Sequence, residues 1–428
     1  MLGMAGGVSG AALLGACGGF STSGGSSDQG GGGDDTLTFT TWGTDAELAG
    51  FRSVISAFEK AQSGRKVTLN VVPYAQMFTT IDAQIQAGKA PDVFRVPYYT
   101  LGAYAGRGQL LDLSKDLPSD ISSRFTDTAW AAVQGDGKPY GVPHHTDTSC
   151  IFYDKQAMAS VGVTPPTSVD QAWSWEELTQ VMTRLKKTLP QGKYPFAYNW
   201  QGNGVTRWLN LLFQADGRFL DTDLRTPAID SAAGKLAVDF SKSFFSQGLV
   251  PPNSSVKSTT LAADAWYAKT VPVVFGGAFL LPDAASTYQG DWSVTFAPRK
   301  VRGGGDFGGN ALVATATTKK ASLAAAFLEF ATQADQMKAF CAGASLLPTR
   351  KDLTQSGIDF VKRPELSPIF LGQAQQVKPQ DAAQVAQPNM AKIITVLKDQ
   401  LDKAFIGNQS TEATLSGLSS GIASATSA

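Results

Sequence analysis

The chain has 428 residues and carries 36 Lys plus Arg against 36 Asp plus Glu. This balance, with no basic cluster, gives neither nucleic acid nor an anionic membrane surface an electrostatic foothold, so an uncharged or weakly charged small ligand is expected. The longest apolar run after residue 17, Val271–Leu281, contains Pro272 and falls short of the ~18 residues of a spanning helix. The chain also exceeds the ~250–300 residues at which a single core stops growing, so two domains are expected.

Residues 1–16 are uncharged and rich in Gly, Ala, Leu and Met, and Leu14-Gly15-Ala16-Cys17 closes them. The pattern suits a signal-peptide apolar region and cleavage zone and resembles the bacterial lipobox. That resemblance implies an acylated Cys17 as mature N-terminus and a membrane attachment through lipid alone. The start, Met1-Leu2-Gly3-Met4, is similar to the middle of a twin-arginine export signal whose paired arginines have been lost, an expectation that residues encoded upstream would confirm or sink. Residues 18–35 are Gly, Ser and Asp rich and read as a flexible tether.

Leu37–Thr40 alternates as a strand. Leu48, Phe51, Ile55 and Phe58 recur at helical spacing, and Val67–Val72 returns to strand, which makes a β-α-β unit. Phe78, Ile81 and Ile85 predict a second helix ending at Gly88, before a buried strand over 91–96. Further on, Ser174 and Glu177 form a capping box for a helix starting near Trp175. Strands are expected over 271–275 and 311–316, one helix between Ala321 and Phe340, and final helices over 391–405 and 411–422. Gly303-Gly304-Gly305 reads as a loop or hinge. Cys150 and Cys341 are equally compatible with a disulfide and with two buried thiols.

A sugar presents apolar C–H faces ringed by hydroxyls, so its site needs aromatic platforms and planar polar side chains. Trp42, at the carboxyl end of the first strand, and the nearby Asp45 occupy the place where α/β sheets present ligand crevices. His144 and His145 are the only histidines. As neighbours on a strand they should point to opposite faces and so cannot readily share one ion. No metal and no cofactor are expected.

Several segments, in order, carry a family resemblance: Pro91-Asp92-Val93, Leu101–Ala105, Gly108–Leu113, the Tyr140-Gly141-Val142-Pro143 strand with Ile151–Lys155, Gly308–Ala316, and Leu346–Arg350. Together they resemble the sugar-binding proteins of ATP-binding cassette importers, over nearly all of 37–422. The resemblance implies an α/β, two-lobed periplasmic-binding-protein-like (type II) fold, with doubly wound lobes, a three-segment hinge and a ligand cleft between. Crossings are expected near 143–147, 306–310 and 347–350. The N-lobe would be 36–143 plus 310–345, and the C-lobe 148–305 plus 350–428.

By the same resemblance, Tyr98 and Tyr99 lie in a ligand-contacting loop, Tyr74 and Gln76 follow the second strand in another, and Asp147 accepts hydroxyl hydrogen bonds with His144 beside it. The opposing wall would comprise Trp200, Arg207, Phe279 and Trp208, with Phe279 standing where the family commonly has tryptophan and Trp208 equally suited to helix core beside Leu209, Leu211, Leu212 and Phe213. Asn310 and Arg350, at the crossings, either brace the hinge or reach the ligand. The implied function is non-enzymatic: a monomeric, lipid-anchored receptor on the extracellular face of a bacterial membrane. It would capture a mono- to oligosaccharide by hinge closure and pass it to importer permease subunits. The alternatives are a secreted glycoside hydrolase using paired carboxylates such as Asp45 and Asp147, and a receptor for a polyol or glycerophosphodiester.

Overall fold

The computed structural model describes residues 35–427. The predicted signal segment, Cys17 and residues 18–34 of the predicted tether lie outside them. The described strands are β1 (Thr36–Thr41), β2 (Lys66–Val71), β3 (Val93–Pro97), β4 (Gln134–Gly135), β5 (Lys138–Pro139), β6 (Val142–His145), β7 (Ser149–Asp154), β8 (Phe196–Tyr198), β9 (Val273–Gly277), β10 (Trp292–Thr295) and β11 (Asn310–Ala314). They build a five-stranded sheet in the order β2-β1-β3-β11-β6, a four-stranded sheet in the order β10-β7-β9-β8, and a β4-β5 ribbon. The first sheet is parallel apart from β11, which runs antiparallel to both β3 and β6.

Each sheet is the centre of one lobe. In the first, β1 leads into α1 (Asp45–Ala61), whose Thr44 and Glu47 form a reciprocal capping box. Phe51, Val54, Ile55 and Phe58 then fall on one buried face at the helical period. Two further helices, α2 (Tyr74–Gln86) and α3 (Tyr98–Gly106), start directly after Pro73 and Pro97. Tyr74, Gln76, Tyr98 and Tyr99 therefore open helices rather than sit in the predicted loops. A proline's preset φ and missing N–H suit a helix start. The expected helix over 321–340 is two, Ala321–Ala331 and Ala334–Ala344. Between them, the Thr332 hydroxyl lies at 3.1 and 3.0 Å from the Leu328 and Glu329 carbonyls, and Gln333 turns extended.

In the second lobe, Ser174 and Glu177 cap the helix Trp175–Thr188 as expected. The C-terminal helices Met390–Phe405 and Thr411–Thr426 pack Ile393, Leu397, Leu401, Leu418 and Ile422 into the same core as Trp200, Trp208 and Phe213. Cys150 and Cys341 are both free and buried.

The lobes meet where three chain segments converge on Thr146. Its backbone N–H donates to Leu347 O (2.8 Å) and its carbonyl accepts from Leu347 N–H (2.9 Å), while its hydroxyl donates to Gly308 O (2.9 Å). Gly309 has φ +97°, and a Cβ there would lie 2.4 Å from both His145 O and Thr146 Cα. A Cβ on Gly308 would instead fall 1.7 Å from Asp147 Oδ1. Gly309→Ala therefore combines a left-handed backbone with a backbone collision. It is expected to destabilise by roughly 2–4 kcal/mol, read as a lower Tm, whereas Gly308→Ala displaces only a side chain and should cost less. Equal Tm losses would contradict this division.

Candidate functional site: an interlobe cleft

The first wall of the cleft is aromatic. Trp42, leaving β1, lies 5.2 Å from Tyr74 and 5.8 Å from Phe78 between ring centroids, and the Tyr74 hydroxyl is hydrogen-bonded to that of Tyr99. Trp42 and Tyr99 are half-buried, and Tyr74 is exposed. Tyr99, Phe78, Tyr104, Asn203 and Ile394 line a cavity of 230 Å³ that draws on both lobes. A larger groove of 960 Å³ runs along α3, by Ala131 and Ala386. It contains no aromatic side chain and so offers no platform for a sugar face.

Beneath Trp42 the wall is fixed by Arg95 of β3, only 2% exposed. Its guanidinium donates to Trp42 O at 2.9 Å, to the Glu47 carboxylate, and to His145 Nε2 at 3.0 Å. It also lies 4.5 Å from the Trp42 ring centroid. One charge thus holds the end of β1, the start of α1 and the end of β6. A guanidinium has no acceptor, so His145 Nε2 must accept, as it does also from Asn310 Nδ2 at 2.9 Å. His145 therefore keeps its proton on Nδ1 and donates it to His144 Nδ1, 3.0 Å away.

The two rings meet because the β6–β11 register shifts between Asn310 and Ala311, making His144 the extra residue of a bulge. The expectation that they face apart is corrected by that bulge. Burial, and then the Arg95 charge, push both imidazoles down, His144 to about 3.

The floor is the hinge itself. Asp147 is 6% exposed, and its carboxylate accepts no hydrogen bond from the described residues. Its nearest cation is Arg207 Nη2, 3.6 Å from Oδ2. Asp306 accepts from Ser149 N–H (2.8 Å) and Ser149 Oγ–H (3.2 Å) and lies 3.7 Å from Arg207 Nε. Desolvation raises the pKa of both carboxylates; Arg207 opposes the shift. Arg207 stands over the Phe279 ring at 5.2 Å, and Tyr198 anchors its carbonyl at 3.0 Å. Of the predicted contacts, Trp42 and Tyr99 share the aromatic wall through Tyr74, Asp147, Arg207 and Phe279 adjoin one another at the hinge, and Asn310 meets His145. Asp45 and Gln76 are exposed on the first turns of α1 and α2.

Five predicted contacts are placed elsewhere. Trp200 and Trp208 are 0% exposed; their indoles donate to Ser254 O (2.9 Å) and Ser241 Oγ (3.0 Å), inside the second lobe. Tyr98 is buried against Phe307 and donates to His145 O. His144 is buried between Phe51 and Phe340. Arg350 turns to Asp352 and Thr332 O, and so braces the third crossing. Sequence reasoning missed Glu47, Phe78 and Asp306 as site-forming residues. The signal for the last was a single carboxylate within Gly303–Gly309.

The histidine pair has a measurable consequence. Folding lowers both imidazole pKa values below ~6.5, so below that pH the unfolded chain binds more protons and stability is lost as pH falls. Asp147 and Asp306, shifted upward, act in the opposite sense. His144→Asn should therefore lose less stability between pH 7 and pH 5 than the parent, by on the order of 1–2 kcal/mol. Parallel Tm-versus-pH curves would refute the neutral pair.

Comparison with known proteins places this geometry. An uncharacterized lipoprotein of Streptomyces antibioticus is 25% identical over 336 residues, 73% of this chain and 70% of its own length. A galactooligosaccharide-binding protein of Bacillus subtilis is 26% identical over 138 residues, only 32% of either chain. Among solved structures, the GacH receptor of Streptomyces glaucescens, studied unliganded and with acarbose, superposes with TM-score 0.76 at 20% identity, covering 92% of this chain and 98% of its own. A solute-binding protein of an ABC transporter from Thermotoga lettingae, bound to α-D-tagatose, gives TM-score 0.77 at 20% identity, covering 92% and 100%. The fold is thus the two-lobed type II architecture of periplasmic binding proteins. Residues 42–338 match the family described as bacterial extracellular solute-binding protein, and the chain belongs to that family of non-enzymatic receptors.

Proposed function

We propose that this chain is a lipid-anchored receptor that captures a carbohydrate between its lobes, closes about the hinge at Thr146, and delivers the cargo to the permease of an ABC importer. It acts as a monomer on the extracellular face of the membrane, held through Cys17. The lobes divide at the predicted crossings, 36–143 with 310–345 against 148–305 with 350–428.

The observation that carries the carbohydrate reading is a pair of unused groups. The Asp147 carboxylate and the Arg207 guanidinium make no hydrogen bond to any described residue, yet Asp147 is 6% exposed and the two lie 3.6 Å apart. Groups so buried are normally partnered. Opposite them stand Trp42, Tyr74 and Tyr99, an arrangement suited to a ring with an apolar face and a hydroxyl rim. Relatives named for galactooligosaccharide, maltodextrin and arabinooligosaccharide binding support the same class. Closure by hinge rotation would bring Arg207 and Phe279 onto the ligand face left open by the aromatic wall.

A thermal-shift panel of sugars and polyols tests this, since a ligand selective for the folded state raises Tm. A saturable shift with at least one sugar is expected. Asp147→Asn should weaken that sugar about 10-fold or more while raising the Tm of the ligand-free protein by roughly 1–3 °C, because a charge buried for function no longer opposes folding. Cys17→Ser should release the protein from membranes into the medium, and membrane retention of that variant would sink the anchor assignment.

A further inference from the structure

An arginine in a binding cleft ordinarily selects for anions, and Arg207 could be taken to mark an acidic or phosphorylated cargo. Its surroundings argue the reverse. Nη2 lies 3.6 Å from Asp147 Oδ2 and Nε 3.7 Å from Asp306 Oδ2, so one guanidinium faces two carboxylates, a formal balance of −1. Asp306 is held in that position by the backbone and hydroxyl of Ser149, and Arg207 is seated over Phe279, so neither partner swings away from the other. Among the described residues, Arg107, which lines the 230 Å³ cavity, is paired with Asp82 and Gln109. Arg95 is committed to Glu47, Trp42 O and His145, and the Asp283 carboxyl is pushed up by burial and then by the nearby charges of Asp45 and Glu47.

Both separations exceed hydrogen-bonding distance, so the charges balance without consuming the donors. Arg207 Nε is buried with no hydrogen-bond partner. A vicinal diol satisfies this arrangement, one hydroxyl donating to Asp147 while its neighbour accepts from Arg207. A carboxylate, sulfate or phosphate would satisfy Arg207 but would bring a second negative charge against Asp147 within a few ångströms.

We propose that Arg207, charge-balanced by Asp147 and Asp306, is a specificity-determining residue of the cleft: it admits neutral glycans through their hydroxyls and excludes glycans bearing carboxylate, sulfate or phosphate. The inference rests on the carbohydrate reading above.

The test is calorimetric titration of wild type, Asp306→Asn, Asp147→Asn and Arg207→Lys, each checked for folding by circular dichroism. The titrants are neutral mono- and oligosaccharides together with their uronic acid and 6-phosphate counterparts. Wild type is expected to bind a neutral member about 100-fold more tightly than its acidic counterparts. Asp306→Asn, which removes one of the two carboxylates facing Arg207 and leaves Asp147 in place, should narrow that gap by about 10-fold or more. Arg207→Lys should weaken the neutral sugar, because an ammonium lacks the fork.

Wild type binding a uronate or sugar phosphate as tightly as the neutral sugar would overturn the proposal, and this comparison decides it even if every variant fails to fold. An unchanged gap in a folded Asp306→Asn would overturn it as well. Silence across the entire panel, neutral and acidic alike, would instead overturn the carbohydrate reading and take this inference with it.

Discussion

The cleft depends on one buried ion pair. Arg95 and Glu47 have side chains only 3% and 7% exposed, and a lone charge so placed would be prohibitively desolvated. Each therefore has further partners: Glu47 also closes the capping box of α1 by accepting from Thr44 N–H (2.8 Å), and Arg95 also grips Trp42 O and His145, its Nε alone being left without a partner. Removing either partner would strand the other, so the carboxyl edge of the first sheet can take essentially one arrangement. Trp42, Asn310 and the entry to the hinge inherit their positions from it.

From that fixed edge the hinge inherits its contrast between rigid and open polar groups. Thr146 spends its backbone and hydroxyl on the other two crossings, while its neighbour Asp147 accepts nothing from the described residues and faces the cleft. Gly308 and Gly309 make this possible, since a side chain at either would occupy the space of the Asp147 carboxylate or of the Thr146 backbone. The result is a buried carboxylate that accepts no hydrogen bond from the described residues. Upward pKa shifts on Asp147 and Asp306 express the cost of that burial, which Arg207 only partly offsets.

Much of the fold was legible because local chemistry and tertiary structure agree. Thr44 with Glu47 and Ser174 with Glu177 signalled helix starts that are present, and Gly308-Gly309 fell where crossing segments touch. The site was less legible, for a physical reason. Trp200 and Trp208 follow the same sequence cues as Trp42, and only the distant partners Ser254 and Ser241, which take their indole protons, show that they are core. Arg95, in a strand of otherwise apolar residues, was identifiable as a charge but not as a hub, because Glu47 and His145 are 48 and 50 residues away. The bulge that brings His144 and His145 together depends on β11, far along the chain, and alternation within β6 could not reveal it.

The central claim is that a sugar occupies the space between the aromatic wall and the Asp147–Arg207 pair. A crystal structure of the protein with the sugar that most raises its Tm tests this directly. The expected result is a ring stacked on the Trp42, Tyr74 and Tyr99 side with hydroxyls within ~3 Å of Asp147 and Arg207. A ligand seated in the alanine-lined groove along α3, with Asp147 still unpartnered, would contradict it.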